Sequence, residues 1–203
     1  MQNLLNVCSD FSNLFDVNFN SVKSKCVIFK DTKVYVGNPV FVLNGTPLEV
    51  VSNIKYLGMI ICNDLSDDME LSNMYRKLCC RSNMLSRKFN LCSVSIKNEL
   101  FRVYCSSIYG IAVLSKFKKS SFRKLEICYN NAFRILHRYH KYCSASEMFV
   151  FNNINSFREV WRANQLSIYQ TAVESRNLVV TATFGRIHTP LWTKIKMNLF
   201  LGS

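Results

Sequence analysis

The chain has 203 residues, of which 49% are hydrophobic and 13% aromatic, and 26 Lys and Arg against 13 Asp and Glu give a formal net charge of +13 at pH 7. That apolar share can fill a core and excludes a disordered basic tail. Three prolines and six glycines, with no fixed-period repeat, argue against a tight-turned β-sandwich or a repeat array and for helix over most of the length.

In chain order, Leu4, Cys8, Phe11 and Phe15 form one apolar stripe on a first helix. After a polar linker with Asn20, Lys23 and Lys25, the run Cys26-Val27-Ile28-Phe29 reads as a short strand. Residues 33–36 and 39–43 are strand candidates around Gly37-Asn38, and Asn44-Gly45-Thr46-Pro47 is a turn into 48–51. Residues 54–61, with Tyr56-Leu57-Gly58, read as a last strand. This is one helix beside a small, mostly antiparallel sheet, which by itself lacks strands to close a core; the N-terminus reads as a cut edge.

Helices follow. Leu71, Met74, Tyr75, Leu78 and Leu85 share one side of a helix over 69–90, with Arg76, Lys77 and Arg81 on the outside. Ser95 is the expected cap of the next helix, striped by Ile96, Leu100, Tyr104, Ile108 and Ile111, with Gly110 marking a close contact or a weak last turn. Ser121 would cap a third, striped by Phe122, Leu125, Tyr129, Phe133 and Leu136. Ser144 with Glu147, and Ser156 with Glu159, have capping-box spacing and start helices over 145–151 and 157–175, the second carrying Trp161, Leu166, Tyr169 and Val173. Residues 178–184 read as a strand and 190–200 as a short amphipathic helix. The fold class is α+β, divided into 1–61, an acidic linker 62–69, a helical domain 70–150 and a tail 151–203.

Charge follows this division. Residues 1–61 hold five lysines against Asp10, Asp16, Asp31 and Glu49, whereas 71–203 hold 21 basic and five acidic residues. A helical module with a net +16 suits nucleic-acid contact through phosphates, or attachment to another acidic surface. Lys116, Lys118, Lys119, Arg123 and Lys124 concentrate five cations where two helices meet; singly, each could equally be the wet end of an amphipathic helix. No apolar run reaches 18 residues, so no membrane span is expected. The nine cysteines, odd in number and without a signal peptide, read as free thiols in a reducing, intracellular setting, nucleus and cytoplasm both remaining open.

Catalytic signals are sparse. Asp67 and Asp68 invite comparison with the metal-holding pair of a polymerase, but just before a basic helix they are better placed to favour its N-terminus. His137, His140 and Cys143, with Cys128 nine residues before His137, could hold zinc, yet no Cys-x2-Cys knuckle accompanies them. Nucleophile elbow, P-loop and dinucleotide fingerprint are missing.

The order of segments resembles the C-terminal part of the reverse transcriptase of non-LTR, LINE-like retrotransposons of the jockey or chicken-repeat type. The similarity rests on Phe19-Asn20-Ser21-Val22-Lys23-Ser24-Lys25 entering a strand, Asn44-Gly45, Lys55-Tyr56-Leu57-Gly58, Tyr104-Cys105 through Tyr109-Gly110, Asn131 through Leu136, and Ser144-Ala145-Ser146-Glu147-Met148-Phe149. It implies that 1–61 ends a palm, with Lys23 and Lys25 on a nucleotide-proximal loop and Tyr56, Leu57 and Gly58 at a primer-grip hairpin. It further implies that 70–150 is a thumb whose Arg76, Lys77, Arg81, Lys116, Lys118, Lys119, Arg123 and Lys124 meet an RNA template, a DNA primer or their hybrid. The family's Tyr/Phe-x-Asp-Asp turn, fingers and earlier palm aspartate have no counterpart here, nor does its terminal Cys/His knuckle. The implied reading is a truncated remnant of an RNA-directed DNA polymerase without polymerase activity, with no catalytic residue or cofactor of its own, Mg2+ belonging only to a complete parent. The alternatives are a non-enzymatic basic module on the phosphate backbone, an inactive scaffold, or a zinc-dependent structural domain.

Overall fold

A computed structural model describes residues 1–20, 22–29 and 39–185, together with 193, 195 and 197. The chain is α+β and falls into two compact units, Met1–Ser66 and Asp67–Ser203. The division lies inside the expected acidic linker. The helical unit continues through the expected boundary at 150, because Asn152, Ile154 and Phe157 are all buried in it.

In the first unit, α1 (Gln2–Phe15) stands beside three two-stranded ladders. β1 (Lys25–Cys26) pairs in parallel with β4 (Glu49–Val50), β2 (Val42–Leu43) pairs antiparallel with β3 (Thr46–Pro47), and β5 (Asn53–Tyr56) pairs antiparallel with β6 (Met59–Cys62). The strand expected over 26–29 therefore forms ladder only at its start. The strand expected over 54–61 is instead a hairpin. Its two-residue loop has Leu57 at φ 46° and Gly58 at φ 85°, as Asn44 (φ 49°) and Gly45 (φ 73°) do in the β2–β3 loop. Positive φ at both loop positions matches the right-handed twist of the strands. Gly58 serves that backbone shape and no close approach, since nothing lies within 4 Å of where its Cβ would stand. The strand candidate 33–36 lies outside the described residues.

The predicted stripe of α1 is not its buried face. Leu4, Phe11 and Phe15 are exposed, and the helix buries Ser12. Its polar side holds the β2–β3 hairpin: the Gln2 amide exchanges two hydrogen bonds with the Val42 backbone (2.9 and 3.0 Å), and Asn44 donates to Ser9 and Ser12 (3.1 and 3.0 Å). Hydrogen-bonding groups that match a strand edge outcompete a stripe with no described surface to cover it.

The second unit is built from α2 (Asp68–Lys88), α3 (Val94–Phe101), α4 (Lys119–His137), α5 (Ala145–Phe151), α6 (Phe157–Glu174) and α7 (Leu178–Gly185). Leu71, Met74, Leu78 and Leu85 of α2 and Leu125, Tyr129, Phe133 and Leu136 of α4 are buried as expected, but Tyr75 is 43% exposed. Ser93, not Ser95, caps α3, accepting from the Ile96 N–H. The helix then loosens into a π-turn at Arg102–Ser106 and breaks; Gly110, at φ 78°, starts a 3-10 turn at Ile111–Val113. Its buried stripe is accordingly Lys97, Phe101, Cys105, Ile108 and Ile111, with Ile96 and Tyr104 outside. α4 starts two residues before Ser121. Ser156 and Glu159 close the capping box of α6, whereas its core face is Phe157, Val160, Gln165 and Ala172, with Leu166 and Val173 exposed. Residues 178–184, read as a strand, are helical in α7: Asn177 Oδ1 accepts from the N–H groups of Val179 and Val180 (2.9 and 3.4 Å), a cap that starts a helix despite β-branched residues. The helix expected over 190–200 lies outside the described residues except at Thr193, Ile195 and Met197, which are helical.

Aromatic rings fill the centre of this unit. Phe101 meets Tyr129 and Phe133 edge-on at 5.0 and 4.9 Å, and Phe149 and Phe157 close around the same pair. Such pairs add about 0.5–1.5 kcal/mol each beyond area burial. The Tyr129 hydroxyl donates to the Asn155 carbonyl (2.9 Å) and lies 2.8 Å from Ser106 Oγ, so even its polar tip is satisfied.

Candidate nucleic-acid interface

α2 and α4 lie side by side and run the same way. Lys118 N–H donates to Asp68 Oδ1, Cys79 Sγ meets Cys128 Sγ at 3.4 Å, and Ser82 Oγ reaches the Ala132 carbonyl, so partners stay about 50 positions apart along both helices. Parallel packing brings two positive helix ends together. Asp67 and Asp68 offset them: Asp67 Oδ2 accepts from the N–H groups of Ser115 and Lys116, both at 2.7 Å, and the Asp67 N–H donates to the Lys116 carbonyl at 2.8 Å. The acidic pair is thus neither a simple cap of its own helix, as α2 has no side-chain cap bond, nor suited to a magnesium pair, since Asp67 and Asp68 both accept backbone N–H groups.

Around this helix pair, the predicted cations separate into three groups. Arg76 lies with Lys124, across a groove of about 560 Å³ between α2 and α4 that is also lined by Tyr75, Ile127, Cys128 and Asn131. Lys77 and Arg81 occupy the opposite flank of α2, against Cys105, Ile108 and Tyr109. Adjacent positions on a helix differ by a hundred degrees, which is why Arg76 and Lys77 part. Arg81 is partly engaged, donating to the Tyr104 carbonyl at 3.1 Å. Lys116, Lys118, Lys119 and Arg123 form the third group, exposed at or just before the first turns of α4.

That last placement breaks a local rule. Cations at a helix N-terminus oppose the dipole, at about 0.3–1 kcal/mol each when exposed, and α4 has no acid in its first turn. Asp67 and Asp68 offset part of that cost from α2, but the Lys118, Lys119 and Arg123 side chains stay exposed, and exposed residues that break a local rule point to a ligand. Among the described residues, Arg76, Lys77, Lys118, Lys119, Arg123 and Lys124 have no carboxylate partner. Ion pairs among the described residues include Lys25–Glu49, Glu99–Arg102 and Glu126–Arg158.

In the first unit, Lys23 sits exposed after a turn in which its N–H donates to Asn20. Lys25 is paired with Glu49 across the β1–β4 ladder. Tyr56, Leu57 and Gly58 form the exposed tip of the β5–β6 hairpin.

The zinc candidates do not converge: among the described residues no three of His, Cys, Asp and Glu come close enough to hold a metal. His137 instead stacks on Phe133 at 4.3 Å, and burial, reinforced by the charge of Lys97, lowers its pKa to about 4. Cys128 is pushed up to about 12, mainly by burial and then by its contact with Cys79, and Cys105 also to about 12 by burial, so neither is a ready nucleophile at neutral pH. No described helix is long and apolar enough to cross a membrane.

Sequence reasoning missed Tyr75, assigning it to the core, and did not single out Asn131. The signal for Tyr75 was present: it sits off the line through Leu71, Met74, Leu78 and Leu85, on the Arg76 side. Against known proteins, no family model, curated protein or solved structure matches the chain.

Proposed function

We propose that the chain is the end of the palm and the thumb of a non-LTR reverse transcriptase, and that its Asp67–Ser203 unit holds nucleic acid through the phosphate backbone. The observation that carries the binding reading is the set of exposed, acid-free cations on α2 and α4, with Lys118 and Lys119 set against the dipole of α4. The polymerase lineage rests on the order of the segments from Phe19-Asn20 to Ser144–Phe149, and in it the hairpin tip Tyr56-Leu57-Gly58 is the primer grip and Lys23 the nucleotide-proximal lysine. Asp67 and Asp68 are committed to the 115–118 backbone, so these 203 residues are expected to bind without extending a primer.

Titration of the purified chain with duplex DNA and RNA–DNA hybrid at 50 and 200 mM salt tests the reading. Saturable binding that weakens steeply with salt and depends little on sequence is expected. No saturable binding at low salt would overturn it. Template-dependent extension with magnesium would overturn the expected lack of polymerase activity.

A further inference from the structure

The groove between α2 and α4 has more in it than backbone binding needs. Phosphates require only the cations; here the cations stand over apolar and aromatic walls. Tyr75 is 43% and Ile127 47% exposed, one on each helix. A large apolar side chain left open on both walls of one groove is suited to a flat ring lying between them.

We propose that this groove binds one nucleoside phosphate, its phosphate between Arg76 and Lys124 and its base between Tyr75 and Ile127. Since α2 and α4 keep their offset of about 50 positions, Arg76 and Lys124 stand within roughly one helical turn of each other along the pair, on opposite walls. An arginine fork and a lysine point charge on two sides of one oxyanion form a strong phosphate clamp. Among the described residues neither cation has a carboxylate partner: Asp67 and Asp68 accept backbone N–H groups, Glu126 pairs with Arg158, and both Glu70 oxygens accept from the Asn73 amide. Asn131 has Oδ1 taken by Arg134 at 3.0 Å, which leaves its amide N–H groups for an acceptor on the base edge. The size agrees, because about 560 Å³ lies within the range of small-ligand sites, about 300–1,000 Å³. The α2 wall from Leu71 to Arg76 is about 8 Å long at 1.5 Å per residue, room for one nucleotide and too short for a turn of duplex.

The nucleoside phosphate could be a free nucleotide or an unpaired nucleotide at the end of a strand. The inference deepens the nucleic-acid reading and rests on it only for the strand source. The experiment therefore has two arms on the full chain. In the first, calorimetric titration with adenosine 5′-monophosphate is compared with inorganic phosphate and with adenosine. In the second, a duplex with a one-nucleotide overhang is compared with the blunt duplex. A free-nucleotide site predicts that the monophosphate binds at least tenfold more tightly than either half alone. A strand-end site predicts that the overhang improves duplex binding by about five- to a hundredfold, the range for one stacked base. In whichever arm binds, Ile127→Trp, which fills the groove, and Tyr75→Leu remove the gain, while blunt-duplex affinity and its salt dependence stay unchanged. Near-ultraviolet circular dichroism checks that each variant is folded. Equal binding of phosphate and monophosphate together with equal binding of blunt and overhanging duplex overturns the inference. So does a gain that survives both substitutions. Loss of blunt-duplex binding at low salt is a different result, striking the function proposed above and leaving the free-nucleotide arm standing.

Discussion

Both units carry large apolar side chains, yet among the described residues only one of them builds a buried aromatic cluster from them. In Asp67–Ser203, Phe101, Tyr129, Phe133, Phe149 and Phe157 are all within a few per cent of full burial, whereas in Met1–Ser66 the buried apolar residues among those described are Leu43 and Cys62. The first unit holds its helix to its hairpin with amide and hydroxyl bonds from Gln2, Ser9 and Asn44. Each such bond contributes about 0.5–1.5 kcal/mol, against about 3–5 for a buried aromatic ring. The contrast in charge runs the same way. The unit with the better core is also the one that tolerates a net charge of +13, with 21 basic against eight acidic residues, because stability drawn from the interior offsets the repulsion between surface cations.

The widest test of this contrast is a pair of truncations. Phe133→Ala should destabilise the helical unit by about 3–5 kcal/mol in urea unfolding. Phe11→Ala, on the exposed stripe of α1, should change stability by no more than about 0.5 kcal/mol. Similar losses at the two sites would mean that α1 is covered in solution and the contrast false.

Acid should act on the helical unit through His137. Its folded pKa of about 4 lies below the ordinary value of 6.5, so between these values the unfolded state takes up the proton more readily, and stability falls as pH drops through the window. The loss, full below pH 4, is about 1–3 kcal/mol for a partly buried ring. Comparison of wild type and His137→Leu at pH 7 and pH 4.5 checks this; equal losses in both would show that His137 is not the titrating group.

Asp67→Ala should cost about 1–3 kcal/mol, by leaving the Ser115 and Lys116 N–H groups without their carboxylate. Hydrogen exchange should accelerate at those two amides first. Protection unchanged there would break the assignment of Asp67 as the tie between α2 and the 115–118 segment.

The smallest expected effect is in the first unit. Gly58→Ala forces a side chain onto φ 85° at about 1 kcal/mol, loosening the β5–β6 pairing seen by nuclear Overhauser contacts between Asn53 and Cys62 while the helical unit's unfolding midpoint stays fixed. A shift of that midpoint would show the two units to be energetically coupled.

Much of the helical unit could be read from local chemistry. Ser144 and Ser156 start α5 and α6 where their capping residues stand, and the period of Leu125, Tyr129, Phe133 and Leu136 located both α4 and its buried face. Asn44-Gly45 marked a tight turn, since both positions adopt positive φ readily. Leu57-Gly58 was harder to see: leucine seldom adopts φ 46°, and apolar residues on both sides look like one strand until pairing folds them back. Of the candidate interface, the sequence yielded the cations but not their grouping. Arg76 and Lys77 are neighbours in the chain and lie on opposite flanks of α2.

By itself the sequence determined where α5 and α6 begin, that Asn44-Gly45 turns, and that the positive charge belongs to the C-terminal two-thirds. These depend on interactions within a few residues. Only the tertiary structure decided that α1 turns its polar side towards the β2–β3 hairpin, that Tyr75 faces a groove, that Asp67 binds a segment nearly 50 residues away, and that Arg76 and Lys124 line the same groove. Each of these depends on which surface another part of the chain presents, and a side chain with two acceptable faces is settled by its partner.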